Sequence, residues 1–156
     1  MPDIALFQPD IPQNTGTILR LGACLGVTVH LIEPAGFPIS DSALKRAGMD
    51  YLERAAMRRH ASFQRFESWC KTNSRRLVLL TTRADSSYTD FRFAADDVLL
   101  MGRESSGVPE SVHDRADARI TIPMAEGMRS LNLAVATGMA IGEALRQTGT
   151  FPRSTG

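Results

Sequence analysis

Short runs of apolar, partly β-branched residues alternate along the chain with longer stretches whose apolar positions recur every three or four residues. Residues 4–7 form the first run, stopped by Pro9 and Pro12, and read as a buried strand. Residues 15–25 place Ile18, Leu19, Leu21 and Leu25 at roughly helical spacing, with Asn14 at the N-cap position and Gly26 at the C-cap. Residues 27–32 give a second strand, closed by Pro34. The stretches 40–47 and 62–72 read as amphipathic helices. Residues 77–81 and 98–101 are continuous apolar runs of the kind buried on both faces of a parallel sheet. A short strand at 120–122 and a long helix at 131–147 complete the pattern. This alternation predicts an α/β fold, a mostly parallel sheet with helices on both faces. The 156 residues fit one domain, 1–150, followed by a loose tail at 151–156.

Composition narrows the picture mainly by exclusion. The first ten residues carry no basic segment and no long apolar run, which does not fit a secretory signal. The longest uncharged stretch, 130–142, is too short to cross a bilayer, and its Gly138 and Gly142 read as close helix packing. Cys24 and Cys70 are isolated, so no disulfide framework and no CxxC pair is available. His30, His60 and His113 lack the HExxH spacing, and no metal is expected. The expectation is a cytoplasmic protein with no membrane partner.

Net charge is +1, yet the charge is unevenly placed. Lys45, Arg46, Arg54, Arg58, Arg59, Arg65, Lys71, Arg75 and Arg76 are opposed over 45–76 only by Asp50, Glu53 and Glu67. Such a face either meets a polyanion or is an ordinary solvated surface. Of the 18 basic residues only Lys45 and Lys71 are lysine. An arginine bias suits bidentate contact to phosphate, and a GC-rich genome produces the same bias.

In open α/β sheets ligands sit beyond the carboxyl ends of strands, in the following loops. Three such loops are rich in Gly, Asn, Ser and charge. The first, PQNTGTILRLG (12–22), holds Asn14, a helix cap or a site residue, and Arg20, set between Leu19 and Leu21. The second, LLMGRESSGVPE (99–110), runs from a strand into Gly102, Glu104, Ser105, Ser106 and Gly107. No Lys-Ser/Thr follows Gly107 as a phosphate loop requires, and the serines lack the spacing of a nucleophile elbow. The third, IPMAEGMRSLNLA (122–134), sets Ser130 and Asn132 at a helix start, Asn132 inside an apolar run where it needs a buried hydrogen-bond partner.

In this order the three segments resemble the three sequence motifs of the SpoU branch of the SPOUT methyltransferases. The stretch 30–51 resembles that of the small single-domain members. The likeness spans residues 2–148 and implies an α/β fold with a C-terminal trefoil knot, here about Leu77 to Leu145. It implies S-adenosylmethionine (SAM) as methyl donor, without a metal. The reaction implied is 2′-O-ribose methylation of tRNA at wobble position 34, and the assembly a homodimer through the first and last helices. Carried over by position, the SAM pocket uses Leu80, Thr81, Gly102, Glu104, Gly107, Ile122, Met124, Ser130, Leu131 and Ala134. Arg20 lies closest to the chemistry, with Asn14, Glu104, Ser130 and Asn132 as the polar network around it. A guanidinium stays protonated, so Arg20 is read as holding phosphate and orienting the hydroxyl rather than as a base. Lys45, Arg46, Arg58, Arg59 and Arg129 are the RNA-binding residues. Two departures stand out: Arg103 where the second motif more often has Pro, and Leu131 where Met is common. The alternatives are a ribose methyltransferase for ribosomal RNA or another tRNA position, and a non-catalytic RNA-binding protein of the same fold.

Overall fold

The computed structural model describes residues 1–40, 42, 44 and 56–153. Six strands form one sheet: β1 (Asp3–Phe7), β2 (Val29–Ile32), β3 (Met57–His60), β4 (Arg76–Leu80), β5 (Asp97–Met101) and β6 (Ala118–Ile120). Their order is β3-β2-β1-β5-β4-β6, and every pairing is parallel. Among the described residues, α1 (Pro12–Leu25), α2 (Phe63–Thr72) and α3 (Glu110–Arg115) lie between strands, and α4 (Leu133–Thr148) follows β6.

Period-two alternation sorts the strand side chains between two cores. Ile4 and Leu6 of β1, Leu99 and Met101 of β5, and Val78 of β4 pack with Ile18 and Leu19 of α1 and Ala140, Ile141 and Leu145 of α4. On the opposite face Ala5, Phe7, Leu77, Leu79, Val98 and Leu100 pack with Phe66 and Cys70 of α2 and Val112 of α3. Helices therefore cover both faces, as apolar strands of a parallel sheet require. Burial pushes the Cys70 thiol up to about 12, so it is inert, while Cys24 is exposed on α1. Among the described residues no helix is long and apolar enough to cross a membrane.

Several boundaries differ from those the pattern predicts. α1 begins at Pro12, capped by Ile11, because proline's fixed φ suits the first helical position. Asn14 thus lies inside the first turn and is not the N-cap. Gly26 does close the helix, at φ 68°. α4 begins at Leu133, since Asn132 turns its side-chain oxygen onto the N–H groups of Ala134 and Val135. β6 covers Ala118–Ile120 and not 120–122. β3 has no apolar run to announce it: it is an edge strand whose Arg58 and Arg59 are exposed, held by β2 alone. Ser62 caps α2 by accepting from the Arg65 N–H, so the helix read over 62–72 begins at Phe63. Ser42 and Leu44 are helical, and the rest of the predicted 40–47 helix, with Lys45 and Arg46, lies outside the described residues apart from Ser40.

β2 and β3 also carry a buried polar chain. His30 Nε2 lies 2.8 Å from Asp3 Oδ2, and His30 Nδ1 lies 2.9 Å from His60 Nε2, under Phe66 and Trp69. The histidines, widely separated in sequence, thus meet each other and a carboxylate. Burial, then the charges of His30 and Arg58, pull the His60 pKa from 6.5 down to about 4. Between those values the unfolded chain binds a proton that the folded one refuses, so stability is full above pH 6.5 and falls as pH drops towards 4. The loss amounts to at most about 3 kcal/mol. Thermal unfolding followed against pH should show a shallower fall across this window in His60→Gln than in the wild-type chain.

Candidate active site

The sequence runs β1, β2, β3 outward from the middle of the sheet, then returns to place β5 against the free side of β1 and β4 beyond it. All strands being parallel, the loops after β1, β5, β4 and β6 open on one edge of the sheet. At such a reversal of strand order the loops diverge and leave a crevice. A cavity of about 460 Å³ lies there, within the roughly 300–1,000 Å³ range of pockets that take a small ligand.

The loop after β5 is the tightest of the four. Arg103 and Gly107 exchange backbone hydrogen bonds, each 2.9 Å, closing residues 103–107 into a small loop. This brings Gly107 so near Gly102 that a Cβ on Gly102 would sit 2.8 Å from the Gly107 Cα. Gly107 itself takes φ 66°, the left-handed region. The two glycines are therefore required by the loop's geometry.

Leu80 and Thr81 after β4, Gly102, Glu104 and Gly107 after β5, and Ile122 and Met124 after β6 all line the cavity. So do Arg129, Ser130, Leu131 and Asn132 before α4, and Asn14 from the first turn of α1. Apolar Leu79, Leu80, Ile122, Leu131 and Leu133 supply a surface for a flat ring, while Glu104, Asn14, Asn132 and Ser130 supply polar groups.

Two residues carried over from the motifs lie elsewhere. Ala134 packs against the core between sheet and α4, and Ala136 lines the cavity instead. Arg20 is exposed on α1 and does not line the cavity of its own chain. Asn132 is exposed rather than buried. Its partners are the α4 N-terminus and Asn14, to whose Oδ1 its Nδ2 donates at 3.2 Å. Asn14 Nδ2 donates in turn to Glu104 Oε1 at 3.5 Å, and the Asp10 N–H donates to Glu104 Oε2 at 3.3 Å. A polar chain thus joins α4, α1 and the loop after β5.

Asp10 went unnoticed in the sequence, although an acidic residue at the end of an apolar strand was the available signal. Gln8, at φ 42°, turns the chain out of β1 towards it. Ser105 Oγ donates to Asp10 Oδ2 at 2.5 Å, and Arg103 Nη2 stands 3.6 Å from the same oxygen. Hydrogen bonding with Glu104, then with Ser105, and the Arg103 charge hold Asp10 below its ordinary pKa. Burial, and then the Asp10 carboxyl, push Glu104 above its own. Of the proposed RNA contacts, Arg59 is held by Glu33 at 2.7 Å and Arg58 lies over the Trp69 ring at 5.7 Å.

Sheet and cavity together define an α/β protein with a crevice of small-ligand size beyond the carboxyl ends of its strands. The chain belongs to the SpoU rRNA methylase family, whose model matches residues 2–142. It is 60% identical over 151 residues to a tRNA (cytidine(34)-2′-O)-methyltransferase of Ancylobacter novellus, covering 97% of this chain and 96% of the relative. A solved structure concerning 2-OH methylation of C/U34 on tRNA superposes with a TM-score of 0.87 at 44% identity, covering 94% of this chain and 95% of the other. An AdoMet-bound rRNA methyltransferase of Sinorhizobium meliloti gives 0.83 at 31% identity, over 93% of this chain and 56% of that one.

A methyl group placed on Gly102 tests the loop geometry directly. Gly102→Ala should lower unfolding stability by about 1–3 kcal/mol through overpacking against Gly107, measured by urea denaturation.

Proposed function

We propose that this protein transfers a methyl group from SAM to the ribose 2′-hydroxyl of tRNA position 34. The observation that carries the reading is the nearly full-length match, at 60% identity, to a tRNA (cytidine(34)-2′-O)-methyltransferase, together with a cavity whose lining suits the cofactor. Leu80, Ile122 and Leu131 offer apolar contact for the adenine and methionine chain, and the Gly102–Gly107 loop lets backbone approach closely. When bound, SAM supplies an activated methyl on a sulfonium. The rest of the task falls to the protein: to hold the hydroxyl in line with that methyl and to relieve it of its proton. Asn14, Glu104, Ser130 and Asn132 are the polar groups placed for this work.

Arg20, exposed on α1, reaches a site only across a surface, which fits a phosphate-orienting role in a dimer whose site draws on both chains. Leu131, just before α4, and Val135 and Met139 on it are exposed apolar residues, at 39%, 52% and 38% exposure, which supports a homodimer through α1 and α4. We further place the family's trefoil knot between about Leu77 and Leu145, in a single domain over 1–150 with 151–156 as a tail. The protein works in the cytoplasm, and tRNA meets Arg129 at the cavity together with the basic stretch 45–76. Ribosomal RNA is the second reading, favoured by the family's description and by the Sinorhizobium meliloti neighbour at lower identity.

Incubation with labelled SAM and unmodified tRNA, followed by nucleoside mapping, should place the label at position 34; label in ribosomal RNA alone would move the substrate to the second reading. Arg20→Ala should keep SAM affinity and lose transfer, and transfer at the wild-type rate would remove Arg20 from the mechanism. Affinity for tRNA should fall steeply with salt, because each neutralised phosphate releases counterions. A flat dependence, measured by filter binding across a salt series, would reject the basic stretch as the main contact.

A further inference from the structure

Arg103, the departure in the second motif, lines the cavity with its backbone pinned from both sides. Its N–H donates to the Gly107 oxygen and its own oxygen accepts from the Gly107 N–H, each at 2.9 Å. The root of the side chain is therefore fixed, while its guanidinium is left underused. Asp10 Oδ2 stands 3.6 Å from Nη2, an ion pair without a hydrogen bond, and that oxygen already accepts from Ser105 Oγ. Nε is buried with no hydrogen-bond partner, and among the described residues no acceptor takes a hydrogen bond from this side chain. The side chain is nonetheless only 33% exposed, so water does not replace the missing partners in full. A guanidinium offers five N–H donors, and leaving them unspent in a mostly covered place costs free energy that an oxyanion offsets.

The chemistry of the substrate says which oxyanion. In RNA the carbon beside the one bearing the 2′-hydroxyl carries the 3′-phosphate of the same nucleotide, so a site that holds the hydroxyl faces that phosphate too. The hydroxyl belongs at the polar corner where Asn14 and Glu104 meet. Arg103 precedes Glu104 in the chain and pairs across the same corner with Asp10. Leu80, Ile122 and Leu131, which suit SAM, come from the other loops.

We propose that Arg103 binds the phosphate on the 3′ side of the target nucleotide, with Asp10 as the positioning residue that keeps the guanidinium at the cavity wall until that phosphate arrives. The inference rests on the methyltransferase reading above. Arg103 belongs to the cavity of its own chain, whereas Arg20 reaches a site only across a surface. Holding the phosphate from the residue next to Glu104 fixes the ribose at two neighbouring points, which limits how far the hydroxyl can swing from the line of transfer.

The test pairs a protein change with an RNA change in the full-length chain. Arg103→Ala keeps the backbone bonds to Gly107, so its urea midpoint should stay at the wild-type value. The second partner is a full-length tRNA carrying one uncharged methylphosphonate in place of the phosphate after nucleotide 34. With ordinary tRNA, kcat/KM for transfer should fall by about 10–100-fold in Arg103→Ala, the usual range for a hydrogen bond to a charged group. Arg103→Lys should recover part of the loss, and SAM affinity by calorimetry should hold in both variants. The methylphosphonate should cost the wild-type protein a similar factor and cost Arg103→Ala little more, because the two changes remove one contact. Equal costs of the methylphosphonate in both proteins, or wild-type transfer by Arg103→Ala, would overturn the assignment. A fall in SAM affinity with no change towards the methylphosphonate would overturn it too, and would give Arg103 to the methionine carboxylate of SAM. Were the wild-type chain itself to transfer no methyl group to ordinary tRNA, the functional reading would fall and this contact with it.

Discussion

β5 pairs with β1 on one side and with β4 on the other, in parallel register throughout. That insertion lets segments 90 residues apart share a site, because the loop leaving β1 and the loop leaving β5 then start from adjacent strand ends. The hydrogen bonds from Asp10 and Asn14 to Glu104 span that sequence distance and depend on it. So does the link from Asn132 to Asn14, which ties the start of α4 to the same corner. Without the β1–β5 contact the three polar segments would remain three unrelated turns.

Within this frame the loop after β5 trades chain freedom for proximity. Gly102 and Gly107 approach closely enough that no side chain fits between them, and the reciprocal bonds of Arg103 and Gly107 fix the loop at its neck. Glu104 and Ser105 are thereby pointed back at Asp10. The cavity keeps an apolar side from the strands and the α4 start, and a polar side from these loops. That division suits a cofactor with a flat base and a charged sulfonium, and an RNA hydroxyl that must give up its proton.

Much of the fold was legible because buried parallel strands leave unbroken apolar runs: β1, β2, β4 and β5 all announce themselves in this way. β3 did not, since an edge strand with Arg58 and Arg59 exposed carries no such run. The cavity residues after β4, β5 and β6 were legible through motif resemblance rather than through periodicity, since Leu80, Ile122 and Leu131 taken singly read as core. Asn14 is not the N-cap read for it, because Pro12 already starts α1, while Asn132, read at the start of the last helix, caps that helix. Ala134 faces the core because α4 begins one residue before it. Asp10 was hidden because its importance lies in a contact with Glu104, which only the strand order creates.

Methyl transfer by this fold requires SAM to bind in the crevice beyond β1, β5, β4 and β6. Backbone amide NMR of the labelled protein titrated with SAM tests this most directly. The account predicts shifts concentrated at 79–82, 101–108 and 121–133, with the α2 face silent. Shifts centred on α2 and β3, or none at saturating SAM, would contradict it.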